Sequence, residues 1–288
     1  MRYLQASKVA LVATTSILGL LSGELPVSAG TFAESSAFLR LDEFSIAPQD
    51  IDANSDRNGF AFTGSEASTV DANGDGQLIS DANSNPFINL DFNSDVTGQG
   101  TDYFGLGVSQ SSVSSTFFVD SNETLSFNFD VSLALASVVD LPEDGSINNF
   151  SQASFALFDE TNDVFIGQFI ANGNLDTNLT GGIDNDSIGA TSNLNFAIDS
   201  FSELQPVTGN SETANLSVTG SISQFFATPT QVRLEANTFN RSCSQAPLSS
   251  NPCSLPERFE SEVAVPEHNG IFGLVVAFLG TSLFLRRK

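Results

Sequence analysis

Four segments repeat one spacing of oxygen-bearing side chains: Asp52-Ala53-Asn54-Ser55-Asp56, Asp71-Ala72-Asn73-Gly74-Asp75, Asp81-Ala82-Asn83-Ser84-Asn85 and Asp91-Phe92-Asn93-Ser94-Asp95. The last three begin ten residues apart. Carboxylate and amide oxygens on alternate residues of a curling loop suit a hard cation such as calcium, which takes oxygen ligands from carboxylates, amides and backbone carbonyls. The fullest copy nominates Asp71, Asn73, Asp75, the Gln77 carbonyl and Asp81 as ligands, with Gly76 at the sharp turn. Asp, Asn and Gly are also the residues that form solvated turns, so the same segments read as a turn-rich loop without a metal.

The Asp71–Gly76 copy resembles the first half of EF-hand and dockerin-type calcium loops. Leu78 falls at the apolar position that such a loop carries after its mid-loop carbonyl ligand. The closing position holds Ala82, one residue beyond Asp81, and no helical pattern flanks the segment. The resemblance therefore implies a looser calcium loop and not an EF-hand.

Other chemistries are bounded by what the chain lacks. Its one histidine, His268, stands near the C-terminus. Its two lysines are Lys8 and Lys288, near the two ends. Between residues 30 and 264 a Ser-His-Asp or Cys-His mechanism has no base, and a Ser-Lys pair has no lysine. Histidine-ligated zinc is equally excluded there. Carboxylate chemistry of the glycosidase kind stays open, without a motif to locate it. The chain has no Trp, and Tyr103 is the one Tyr of that region, so the amphipathic rings that commonly stack on sugars are scarce. The 26 Phe read as core.

Charge narrows the partners. Setting aside Glu24 and Glu267 leaves 32 acids in residues 30–264, against Arg40, Arg57, Arg233, Arg241 and Arg258, a net charge of −27. Phosphate backbones need a basic surface, so nucleic acid is not a partner. Divalent cations and solubility outside a cell are compatible with it. Cys243 and Cys253 are the only cysteines. In an exported chain they are expected to pair and close a small loop. The alternative, a reactive thiol, lacks a nearby His or Lys to lower its pKa.

These residues must be carried by strands. Leu125, Phe127, Phe129, Val131, Leu133 and Leu135 alternate with polar residues, the pattern of a strand with one buried face. Phe155 and Leu157, the turn Asp159–Asp163 and then Val164–Ile170 read as a hairpin. Leu194–Phe201, Leu216–Ile222 and Val232–Ala236 predict further strands, with weaker candidates at 37–41, 60–62, 104–108 and 116–119. No stretch between the ends has helical spacing. Nine to eleven short strands with polar outer faces predict an all-β fold: one antiparallel β-sandwich or jelly-roll-like domain over residues 30–240. Within it residues 48–100 read as Asp/Asn-rich loops. Residues 241–264, rich in Ser and Pro, read as a stalk holding the disulfide loop.

The two ends read as addresses. Arg2 and Lys8, an apolar stretch from Val9 to Leu21, and Val27-Ser28-Ala29 form a secretory signal peptide over residues 1–29, with cleavage expected after Ala29. At the C-terminus Val265-Pro266-Glu267 precedes the fifteen-residue apolar segment Ile271–Leu285 and then Arg286, Arg287 and Lys288. By the positive-inside tendency the basic end would stay cytoplasmic.

This tail, residues 265–288, resembles the PEP-CTERM sorting signal of exported proteins of Gram-negative bacteria and cyanobacteria, with His268 where the second Pro of the motif stands. The resemblance implies an exosortase-like processing enzyme as a partner, besides the export machinery and signal peptidase. It also implies delivery to the cell surface or extracellular matrix, with membrane contact only through the tail. It implies no activity for the rest. The expected function is a non-enzymatic structural or adhesive role, with calcium stiffening the 52–95 region and bridging to surface polysaccharide. A calcium-dependent lectin-like module and a carboxylate-dependent glycosidase are the alternatives.

Overall fold

A computed structural model describes residues 30–64, 69–81, 86–100, 102–139, 146–178, 186–194, 196–204, 211–246 and 253. Ala29, Val265, Pro266 and Glu267, and with them the expected signal peptide and the expected sorting tail, lie outside the described residues. So do residues 82–85 of the third repeat and most of the 247–264 stretch. Twelve strands run through the described part: β1 (Gly30–Asp42), β2 (Asp50–Thr63), β3 (Thr69–Asp81), β4 (Phe87–Gln99), β5 (Tyr103–Val119), β6 (Glu123–Val139), β7 (Ser146–Asp159), β8 (Val164–Asn178), β9 (Ser187–Ser192), β10 (Phe196–Leu204), β11 (Ser211–Phe226) and β12 (Thr230–Gln245). Among the described residues no helix is long and apolar enough to cross a membrane.

The strands form two six-stranded sheets, β10-β11-β6-β1-β4-β3 and β2-β5-β12-β7-β8-β9, with every pairing antiparallel. They stack as the antiparallel β-sandwich that the alternating pattern predicts. β6 shows why: from Leu125 to Val139 buried and half-buried residues alternate without a break. Its buried row of Leu, Phe and Val meets the buried rows of the opposite sheet. Four phenylalanines, Phe127, Phe129, Phe155 and Phe169, sit at the centre with ring centroids 5.1–5.8 Å apart.

The hairpin at 155–170 forms as read. Asp159 caps its turn by accepting from the Asn162 amide at 2.9 Å, and Asp163 takes the left-handed backbone that Asp tolerates. Residues 48–100 differ from the loop reading. They are β2, β3 and β4, three strands of 13 or 14 residues. The cause is packing: the inward positions Ala72, Gly74 and Gly76 of β3 are small because the two sheets approach closely there. A Cβ on Gly59 would lie 1.9 Å from the Ala72 carbonyl oxygen, and one on Gly107 2.3 Å from that of Asn73. β12 runs on through Arg241–Gln245, five residues into the segment that reads as stalk.

The interior is apolar toward one end and polar toward the other. The large apolar cluster spans both sheets, and a small second cluster holds Ala33, Val96, Val139 and Ile147. A belt of buried Ser, Thr and Asn lies in the polar part and ties sheet to sheet. Asn240 Nδ2 donates to the Phe92 carbonyl at 2.8 Å, Ser242 Oγ to that of Ser94 at 2.8 Å, Ser151 Oγ to that of Ser36 at 2.8 Å, and Asn149 Nδ2 to that of Ala136 at 2.7 Å. Such short side chains can reach a backbone across the sandwich only if the sheets are close. Each bond contributes about 0.5–1.5 kcal/mol net, and losing one partner costs about 1–3 kcal/mol.

Gly30 and Gln245 stand at the same pole, where Thr31 and Ser244 share a buried hydroxyl contact. Cys243 and Cys253 form a disulfide at that pole, with Cα atoms 5.7 Å apart. Arg241 lies beneath, 5 % exposed, and its Nη2 donates to the Asn148 side-chain oxygen at 2.6 Å and to the Cys253 carbonyl at 2.9 Å. Burial pulls the Arg241 pKa down to about 10. The Cys243→Ser/Cys253→Ser variant is expected to lose about 2–3 kcal/mol, measured as a lower urea midpoint. An unchanged midpoint would show that the bond contributes no net stability.

Candidate functional site: an acidic sheet face

The repeats come together because period two and strand register act jointly. On β3 the residues Asp71, Asn73, Asp75 and Gln77 all point outward from the first sheet, and their side chains are exposed. Antiparallel pairing sets Asn73 opposite Asp95, Asp75 opposite Asn93, and Gln77 opposite Asp91. The next strand continues the rows, with Glu34 opposite Asp95 and Ser36 opposite Asn93. Side chains repeat about every 6.8 Å along a strand and stand about 4.5–5.5 Å apart across it. The result is a flat grid of carboxylates and amides on β3, β4 and β1.

Of the residues nominated from sequence, the structure brings Asp71, Asn73 and Asp75 into this grid, with Gln77 at its end. Asp81 closes β3 at the far end, paired with Phe87. The 52–56 repeat lies on β2, in the other sheet. Glu34 was missed. Its signal was the alternation Glu34, Ser36, Phe38, Arg40, outward residues of a strand whose inward residues are Ser35, Ala37, Leu39 and Leu41.

Burial first, and like charge second, raise the carboxyls of the grid. Asp95 is held above the usual carboxylate range by burial and by the negative charges of Asp71 and Asp75, against the lowering effect of the Asn73 side chain, which donates to its Oδ2 at 3.4 Å. Glu34 is raised by burial and by Asp95. Asp91 is raised by burial. Beyond the grid Asp130 is raised by burial and Asp42, partly offset by Arg40. One cation reaches the grid's edge: Arg57 of β2 donates to Asp75 Oδ1 at 3.2 Å and to the Gly76 carbonyl at 3.0 Å.

A carboxyl with a raised folded pKa binds its proton more tightly in the folded state. Stability is therefore gained as pH falls through the raised value toward the unfolded value of about 4, and it is lower at neutral pH. As pH falls through their raised values toward about 4, these four groups are expected to raise the thermal midpoint, the reverse of ordinary acid denaturation. Asp95→Asn is expected to raise the midpoint at pH 7.5 and flatten that dependence. A midpoint that falls steadily as pH is lowered toward about 4 would contradict this account of burial and like charge.

Among the described residues no three Asp, Glu, Cys or His side chains converge as a metal cage. A flat face has a different capacity. A calcium ion takes six to eight oxygens at about 2.3–2.6 Å. Two neighbouring strands can offer an ion a few side-chain oxygens, and the rest of its shell is left to water or to a ligand. Beside the grid, a shallow dimple framed by Glu34, Ser36, Thr213 and Asn215 over Ala134 and Ala136 has room for about one water molecule.

The fold and this face define an all-β antiparallel sandwich that displays an ordered acidic surface. Comparison with protein-family models, with curated proteins and with solved structures found no match.

Proposed function

We propose that this chain is an exported, non-enzymatic structural or adhesive protein of the bacterial cell surface or extracellular matrix, and that its acidic sheet face binds calcium and, through it, surface polysaccharide. The observation that carries this reading is the in-register grid of Asp71, Asn73, Asp75, Asp91, Asn93, Asp95 and Glu34. An ion held by two strands keeps coordination sites open, and polysaccharide hydroxyls and carboxylates are suitable oxygens to fill them. A shell shared in this way links the protein to a second molecule, whereas a closed cage would only stabilise a loop.

The address comes from the two ends. The signal peptide directs export, and the PEP-CTERM-like tail directs exosortase-type processing at the surface. The lack of His and Lys between residues 30 and 264 supports a role without catalysis.

The test is thermal unfolding of the mature protein in EGTA, in millimolar calcium and in matched magnesium. A ligand that binds only the folded state raises the midpoint by mass action. Calcium is expected to raise it by several degrees, magnesium much less, and Asp71→Ala/Asp75→Ala is expected to remove most of the calcium effect. Calcium-dependent retention on an acidic polysaccharide column, reversed by chelator, is the companion result. Equal small effects of both ions would mean charge screening and would sink the calcium reading. An intact mass that still includes residues 271–288 in surface-extracted protein would count against processing of the tail.

A further inference from the structure

The described residues include four cations, Arg40, Arg57, Arg233 and Arg241. Three are committed away from the acidic face. Arg40 pairs with Asp42 at 2.7 Å, Arg233 with Glu160 at 2.9 Å and with Glu235, and Arg241 donates to the Cys253 carbonyl. Arg57 alone of the four is seated on the face, and it comes from the other sheet. A Cβ at Gly59 of β2 would lie 1.9 Å from the Ala72 carbonyl oxygen of β3. Arg57, two residues earlier, stands on the same side of β2 and so points at β3. β3 ends the first sheet, with β4 as its one strand neighbour there. The guanidinium comes round that open edge to the outer side.

There Arg57 Nη1 donates to Asp75 Oδ1 at 3.2 Å and to the Gly76 carbonyl at 3.0 Å. The Gly76 amide donates to the same Oδ1 at 2.7 Å, which holds that carboxylate at the edge. A cation thus already sits at this corner, on one carboxylate and one backbone carbonyl, two of the ligand types that calcium takes. The hold is weak. The Arg57 side chain is 47 % exposed and that of Asp75 77 %, and water and salt screen an ion pair this open. A dication that gathers further oxygens from Asp71, Asn73 or Asp95 can displace it. Guanidinium and calcium cannot share Asp75 without like-charge repulsion.

We propose that Arg57 is a tethered counter-cation at the Asp75 corner, which calcium must displace, so that this one side chain sets the calcium concentration at which the acidic face loads. The proposal rests on the calcium reading of that face and names its regulator. Without calcium Arg57 neutralises part of the face and ties β2 to the β3 edge. With calcium it gives up Asp75.

The test is calorimetric titration of the full chain with calcium chloride at low ionic strength. Arg57→Gln keeps a donor for the Gly76 carbonyl and removes the charge, and it is expected to bind calcium about three- to fivefold tighter than the native chain. Arg57→Lys keeps the charge and should stay close to the native affinity. Arg40→Gln removes the same charge from the same sheet beyond the grid, and should change affinity less than about 1.5-fold. The gap between Arg57→Gln and the native chain should narrow as salt is raised, because the competing pair is exposed. Thermal unfolding in EGTA checks that each variant folds. If the native chain binds calcium and Arg57→Gln binds it equally or more weakly, the proposal falls and the calcium reading stands. Equal tightening by Arg40→Gln also overturns it, since net charge would then explain the effect. If Arg57→Gln binds and the native chain does not, Arg57 keeps its role as competitor and the calcium reading of the native chain falls. Absence of binding in both overturns the two together.

Discussion

The Gly74→Val variant is expected to lose about 3 kcal/mol or more, the upper range for forcing extra volume into a packed interior. A Cβ at Gly74 would lie 2.1 Å from the Val108 carbonyl oxygen, 2.8 Å from its carbon and 3.2 Å from the Asn58 amide nitrogen. All three are backbone atoms of β5 and β2, so no side chain can rotate away. The two sheets would have to separate, and the separation would stretch the contacts that Gly59 and Gly107 permit nearby. Urea unfolding should show a lower midpoint with unchanged slope. Asn73→Ala, one residue away on the outer face, is expected to stay within about 0.5 kcal/mol. If the 71–76 repeat were a solvated loop, both changes would be mild. Similar midpoints for the two variants would therefore overturn the placement of the repeat in a packed strand.

Phe155→Ala is expected to cost about 3–5 kcal/mol, the range for truncating a buried aromatic. Phe155 is 1 % exposed and stacks on Phe169 at 5.2 Å with planes 11° apart. It also meets Phe127 at 5.8 Å and Phe129 at 5.4 Å. Its removal opens a void at the point where β6 meets β7 and β8, and the rings around it cannot all move in to fill it. Phe155→Leu keeps most of the volume, and its cost should fall to about 1.5 kcal/mol. Equal losses for the two substitutions would show that the aromatic geometry, and not the volume, dominates there.

How far the fold was legible depends on what stood on the inward side of each strand. Where large apolar residues alternate, as in β6, β11, β12 and the β7–β8 hairpin, period two is plain in the sequence and the strands form. β3 and the first half of β2 were hidden, while residues 60–62 of β2 read as a weak strand. Asp, Asn and Gly are poor strand residues taken alone, and the residues that alternate with them in the two repeats are Ala53, Ser55, Ala72 and Gly74, which carry little apolar signal. The Asp-x-Asn-x-Asp spacing is itself a period of two. It serves a curling calcium loop and the outer row of a strand equally well, and nothing within the six residues distinguishes them. The buried hydroxyls were hidden for the same reason: Ser109, Ser111 and Ser115 of β5 face inward, although serine in an alternating pattern reads as the wet side.

The sequence by itself determined the all-β class and the pairing of Cys243 with Cys253. It also determined the net charge of −27 over residues 30–264 and the lack of His and Lys there. These follow from composition and local spacing, which need no knowledge of neighbours. The tertiary structure decided which repeats stand side by side, that Glu34 joins Asp95, that the sheets close on glycine at β2 and β3, and that Ile198 and Phe201 of β10 stand half exposed among the described residues. Each of these depends on strand register and sheet order, which bring residues tens of positions apart to about 5 Å, and that distance sets whether carboxylates repel, share a proton or share an ion.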